Sequence, residues 1–160
     1  MAHFILSMDP TGGPIVNALV GVSHSDREAF LATSQPVPAP ISIRALIDTG
    51  ASHTCVDPAV LEALQLSPIE TVSMRTASSG AVSHSTQKYQ ISLVVPGAMQ
   101  HEVPLTISTT TVIATELGRS GFQALIGRDV LNDCMLVYNG SYGQFSRLLT
   151  DLHFVALPSA

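Results

Sequence analysis

Arg44-Ala45-Leu46-Ile47-Asp48-Thr49-Gly50-Ala51-Ser52 is the most informative stretch of this chain. An apolar run delivers an aspartate straight into a turn of small residues. A carboxylate set beside apolar side chains is costly unless it is paired or hydrogen-bonded. Such placements are typical of acids prepared for chemistry. Gly50 lets the backbone turn and approach closely without a Cβ clash, and backbone N–H groups of the turn can then point at the carboxylate. Thr49 brings a hydroxyl able to lock the loop by hydrogen bonding. The Asp-Thr-Gly tripeptide occurs once in 160 residues. Asp129 comes closest to a second copy, but it follows Gly127-Arg128 and precedes Val130-Leu131, a setting that suits a helix start.

Working outward, the length fits one domain, taken as residues 1–160. The chain is 46% hydrophobic and 12% charged, apolar enough to imply either deep burial or a partner covering part of the surface. A net charge of -5 and no run among the seven Lys and Arg residues argue against nucleic acid. Apolar segments are too short to span a bilayer as helices. The N-terminus has no cationic start and too short an apolar core for a signal peptide, so the expected location is cytoplasmic, with a fragment of a longer precursor reading the same way. Cys55 and Cys134 read as reduced, apolar thiols rather than a disulfide scaffold. Six scattered histidines form no i, i+4 pair and join no cysteine pair, so neither a metal nor any other cofactor is expected.

Periodicity and turn residues predict a mostly β protein. Strands are expected at 4–8, 15–22, 41–47, 71–76, 88–95, 103–108, 110–114, 134–138 and 144–149, with a last one at 152–157, and Ala124-Leu125-Ile126-Gly127 repeats the apolar-apolar-small pattern seen before Asp48. Residues 23–40 read as a loop ending in Pro36-Val37-Pro38-Ala39-Pro40. Asp57-Pro58 suits an N-cap and first helical position, predicting a short helix to Leu64. A helical turn is expected at 128–133, and Asn139-Gly140 reads as a hairpin turn with the chain returning at Gln144. Ala77 to Thr86 forms the small-residue tip of a long hairpin. The fold class is therefore all-β, a closed or sandwiched architecture with one or two short helices.

The Asp48 loop, the hairpin around Ser78-Ser79-Gly80 and the segment Ala124-Leu125-Ile126-Gly127-Arg128-Asp129-Val130-Leu131 occur in the order found in retropepsins. The chain resembles this single-domain, homodimeric branch of the aspartic proteases over roughly residues 15–149. The resemblance implies a closed acid-protease β-barrel that forms one lobe of a homodimer and acts as an aspartic endopeptidase on peptide or protein substrates. It implies that Asp48 is half of a catalytic dyad, that Thr49 braces the two loops across the dimer axis, and that Gly50 shapes the loop. Ala51, Ser78, Ser79 and Gly80 would contact substrate from loop and flap. Arg128, with Asp129 beside it, would give structural support by an ion pair tying the C-terminal helix to the body. A lone carboxylate cannot supply the acid and the base that peptide hydrolysis needs together. Two carboxylates sharing one proton can. With one Asp-Thr-Gly per chain, the second must come from another copy about a two-fold axis.

Two other readings compete. The same fold can serve as a catalytically silent peptide-binding or dimerisation domain, since fold does not establish activity. Asp48 could instead act as a nucleophile on phosphate, but the chain offers no Gly-rich phosphate cradle or Mg²⁺-type carboxylate cluster. His53, His84, Tyr89, Tyr138 and Tyr142 read as bystanders or sheet-face residues.

Overall fold

A computed structural model describes residues 3–7, 12–74, 83–97 and 103–149. Strand order follows from alternation along the chain. In β2 (Ile15–Val22) Val16, Ala18 and Val20 point inward, and in β3 (Ile41–Ile47) Ile43, Ala45 and Ile47 do the same. This is the period of two that puts one face of a strand in the core. β4 (Cys55–Val56) is short and fully buried. β5 (Glu70–Met74) and β6 (His84–Val95) form a hairpin, and β7 (Leu105–Ala114) and β8 (Ala124–Ile126) complete the set.

Six of these strands close on themselves. The order runs β2-β3-β8-β4-β7-β6, and β6 pairs back onto β2 through Leu19↔Val94 to Val22↔Ile91. Closure leaves the six-stranded barrel without a free edge, and β5 hangs on β6 outside it. β3 lies parallel to β8 and β4 parallel to β7, whereas the other pairs run antiparallel. Ile91, Leu93, Val95 and Val112 fill the interior from β6 and β7. α2 (Pro58–Ala63) lays Val60 and Leu61 on this core, and α3 (Arg128–Leu131) adds Val130 and Leu131. A separate three-stranded sheet joins β1 (His3–Ser7), β10 (Gln144–Leu149) and β9 (Cys134–Asn139), in that order.

The closed barrel and its few short helices agree with the expected fold class. Local differences have physical causes. Residues 23–40 are not all loop, because α1 spans His24–Ala32. Ser23 is a buried N-cap whose Oγ accepts from the Asp26 amide at 3.1 Å and donates to Asp26 Oδ2 at 2.7 Å. The helix buries no residue, so it carries no apolar stripe for periodicity to detect. The two strands expected at 103–108 and 110–114 are one strand. A register shift between Ile91 and Leu93 of β6 marks a bulge, which lies on β7 at Ser108-Thr109. The hairpin turn expected at Asn139-Gly140 joins β9 to β10 and runs on to Gly143. Asn139 pairs with Gln144, and Gly140–Tyr142 makes a 3-10 turn closed by Gly143 at φ 58°. The strand expected at 152–157 and the hairpin tip with Ser78, Ser79 and Gly80 lie outside the described residues.

Candidate active site

The Asp48 loop begins where β3 leaves the barrel. Asp48 continues the parallel ladder, its amide donating to the Ile126 carbonyl at 3.0 Å. The chain then folds back tightly, with the Ala51 amide on the Asp48 carbonyl at 3.2 Å. The Gly50 amide donates to Asp48 Oδ1 at 2.8 Å, and a Cβ on Gly50 would sit 3.1 Å from that oxygen. The glycine thus lets its own N–H reach the carboxylate. Asp48 is half-buried, while Thr49 and Gly50 are exposed. The part-exposed carboxylate is held on one oxygen by the backbone dipole of Gly50.

The other half of the site comes from the β8–α3 corner. Its sequence, Leu125-Ile126-Gly127-Arg128-Asp129, mirrors the apolar run before Asp48, and β8 lies beside β3 with Ile126 opposite Ile47. The first turn of α3 grips the Asp48 loop. The Arg128 amide donates to the Ala51 carbonyl at 2.9 Å. The Arg128 guanidinium donates from Nη1 to the Thr49 carbonyl at 2.9 Å and to the Gly50 carbonyl at 3.4 Å. Arg128 therefore ties the helix to the loop through carbonyl oxygens, where an ion pair was expected. Asp129 accepts from the Thr54 amide at Oδ2 (2.8 Å) and from the Thr54 hydroxyl at Oδ1 (2.7 Å).

Thr54 was not singled out from the sequence, and Gly127 was named only within its segment, without a role. Thr54 is 1% exposed, and its hydroxyl also accepts from the Gly127 amide at 3.1 Å. A Cβ on Gly127 would lie 2.6 Å from the His53 carbonyl carbon and 2.9 Å from the Thr54 nitrogen. The glycine is there because two backbone segments touch at this point. One buried hydroxyl between His53 and Cys55 gives no sequence signal, because its partners come from 73 and 75 positions away.

Behind the loop, Cys55 is buried. Burial pushes its thiol above the usual 9.0, and the nearby charges of Asp129 and Asp48 act in the same direction. On the barrel flank the β5–β6 hairpin stands in register, Glu70 opposite Lys88 and Met74 opposite His84, with a Lys88–Glu70 ion pair at 3.5 Å. Among the described residues no group of three or more His, Cys, Asp or Glu side chains is placed to hold a metal ion, and no helix is long and apolar enough to cross a membrane.

Residues 40–133 match the family described as "gag-polyprotein putative aspartyl protease". The chain belongs to that family. The matched span runs from β3 through the Asp48 loop, the β5–β6 hairpin and the α3 corner. The fold is also that of a retropepsin-like aspartic protease from Rickettsia conorii, whose crystal structure superposes with a TM-score of 0.53 at 14% identity, covering 91% of this chain and 89% of that one. No curated protein matches the sequence. The retropepsin-like family and barrel are thus common ground between the sequence motifs and the three-dimensional structure.

Proposed function

We propose that this protein is a homodimeric aspartic endopeptidase in which Asp48 from each of two chains forms the catalytic dyad. The observation that carries the reading is a half-buried Asp48 carboxylate, fixed by the Gly50 amide on one oxygen, in a chain with one Asp-Thr-Gly. One such carboxylate is half a site. A two-fold axis beside the loop would bring a second copy against it. Close like charges then separate the two apparent pKa values, so that one group is ionised while the other keeps its proton. The ionised member takes a proton from a water molecule as that water attacks the peptide carbonyl. The protonated member donates its proton to the carbonyl oxygen, giving a gem-diol. As the C–N bond then breaks, the member that took the proton from water passes it to the amine, and the other recovers a proton from a gem-diol hydroxyl. Thr49, exposed at the tip of the loop, would brace it against the partner's loop.

Substrate would lie extended between the loops and the β5–β6 hairpin acting as a flap, adding backbone hydrogen bonds as a strand does. Ala51, Ser78, Ser79 and Gly80 would contribute to this cleft. Support for a second copy comes from β9, where Met135, Val137 and Tyr138 are 50%, 46% and 64% exposed. Apolar side chains left open on one strand suit an interface between copies.

The test is cleavage of an unbiased peptide mixture from acidic to neutral pH by the wild-type chain and by Asp48→Asn. The expected result is cleavage by the wild type and its loss in the variant, with folding and dimerisation unchanged. Equal cleavage by both proteins would refute the mechanism. Peptide binding without cleavage by a folded wild-type dimer would make the domain a binding or dimerisation module.

A further inference from the structure

We propose that the cleft between α1 and the proline-rich strap that follows it is a binding site for a small carboxylate carried on an apolar body. The cleft lies at the end of the barrel opposite the Asp48 loop. Its floor residue Gly21 follows Val20, which pairs with Ile41 at the start of β3, whereas Asp48 follows Ile47 at the other end. The seven residues of β3 set the two places about 20 Å apart. The inference therefore goes beyond the proposed peptidase site and does not depend on it.

The walls are built by the segment between β2 and β3. α1 buries no residue, so it adds nothing to the barrel core. It is nevertheless fastened at its start, where Ser23 is fully buried and the His24 amide donates to Thr109 Oγ1 at 3.3 Å. Thr109 belongs to the β7 bulge, and bulges are over-represented beside functional sites. After α1 the chain turns at Ser34 (φ 56°) and returns to β3 through Pro36, Pro38 and Pro40. Prolines at alternate positions fix the φ angles of this strap, so that wall of the cleft is stiff. Between strap, helix and barrel lies a space of about 170 Å³.

The lining has two kinds of surface. Val22, Val37, Pro38 and Pro40 make it apolar on one part. Gly21 keeps the floor open, because a Cβ there would lie 2.9 Å from Ser92 Oγ and 3.4 Å from Pro40 Cγ. The remaining side chains are donors, Arg27 and His24 from α1 and the hydroxyls of Ser92 and Ser108 from the barrel. The neighbouring acids are engaged elsewhere. Asp26 Oδ2 accepts from Ser23 Oγ at 2.7 Å, and Glu28 pairs with His24 at 3.4 Å. Among the described residues Arg27 has no carboxylate partner. A guanidinium recognises a carboxylate through two parallel N–H donors, and serine hydroxyls can donate to the same group. An aliphatic body on that carboxylate would cover the valine and proline surface. A bare phosphate would leave this surface wet. The end residue of a peptide and a free aliphatic acid share the required chemistry.

The test is a chemical-shift titration of the full-length chain by heteronuclear NMR. The probes are N-acetyl-leucine, standing for the last residue of a peptide, isocaproate, standing for a free aliphatic acid, N-acetyl-leucinamide and inorganic phosphate. The readout is binding, so it stands whether or not the chain cleaves peptides. Saturable shifts are expected at Gly21, Arg27, Ser92 and Ser108 with the two acids, in the millimolar range that so small a contact supports. The tighter acid names the source. N-acetyl-leucinamide is expected to leave these residues unshifted. Arg27→Gln, at an exposed helix position, should weaken both acids about tenfold. Arg119→Gln, at an exposed arginine outside the cleft, should leave their binding unchanged. No saturable shift at the cleft residues up to about 10 mM acid would overturn the site. Equal binding of acid and amide, or undiminished binding by Arg27→Gln, would overturn carboxylate recognition. Phosphate binding as tightly as the acids would overturn the part given to the apolar surface.

Discussion

Single atoms decide the site at Gly127 and Cys55. Replacing Gly127 with alanine puts a methyl group within 2.7 Å of the His53 carbonyl oxygen, which is backbone and cannot swing aside. The two segments must separate, stretching the Gly127 amide from the Thr54 hydroxyl. The expected cost is about 3 kcal/mol, typical of overpacking where little can relax, and denaturant midpoints of Gly127→Ala and wild type measure it. At Cys55 the thiol is raised above 9.0 in the folded chain, first by burial and then by the charges of Asp129 and Asp48. The unfolded chain loses this proton at lower pH than the native one. Above pH 9 the native state therefore binds more protons, and stability falls as pH rises through that range. Cys55→Ala is expected to remove this alkaline loss, read from unfolding curves taken on either side of pH 9. The thiol should also resist alkylation at neutral pH in the folded protein, because the thiolate is the reactive form.

Elements were legible in the sequence in proportion to how much they bury. β2 and β3 alternate cleanly because one face of each lies in the barrel, and their expected limits coincide with the observed ones. α2 announced itself by chemistry that acts locally, Asp57 capping the Ala59 amide at 3.0 Å ahead of Pro58. α1 was hidden for the converse reason. It packs no buried residue, so only its caps define it, and a Ser-x-x-Asp start amid Ser and His is easily read as loop. The same property makes it the weakest helix. Its N-cap, Ser23, is fully buried, and its first amide donates to Thr109 at 3.3 Å across the β7 bulge. Ser23→Ala is expected to destabilise the protein by about 1 kcal/mol through loss of the cap. Hydrogen exchange in residues 24–32 should rise before exchange in the barrel does, since helices held by caps alone open locally. In the site, the Asp48 turn was legible because its bonds are local, Gly50 reaching back two residues. The Thr54–Asp129 contact joins positions 75 apart, and only the packing of β8 against β3 and β4 brings them together.

At the scale of the molecule, the closed six-stranded barrel holds most of the buried apolar core, and the exposed apolar side chains of β9 lie outside it. Closure makes the barrel self-sufficient in strand pairing, whereas the chain has one Asp48 in an Asp-Thr-Gly loop. Stability and activity should therefore depend on different things: the first on the single chain, the second on the pair. Mixing separates them. If Asp48 acts only with its mate, a heterodimer of wild type and Asp48→Asn is inactive. After equal amounts of the two chains exchange freely, random pairing leaves wild-type chains in active homodimers half as often, so cleavage should fall to about half that of the same quantity of wild type alone. The mixture should keep the wild-type unfolding transition. Dilution should act in the same direction, lowering activity per chain once dimers dissociate. A mixture that retains the full wild-type rate after demonstrated subunit exchange would mean that one Asp48 suffices, and the second copy would then have no part in the chemistry.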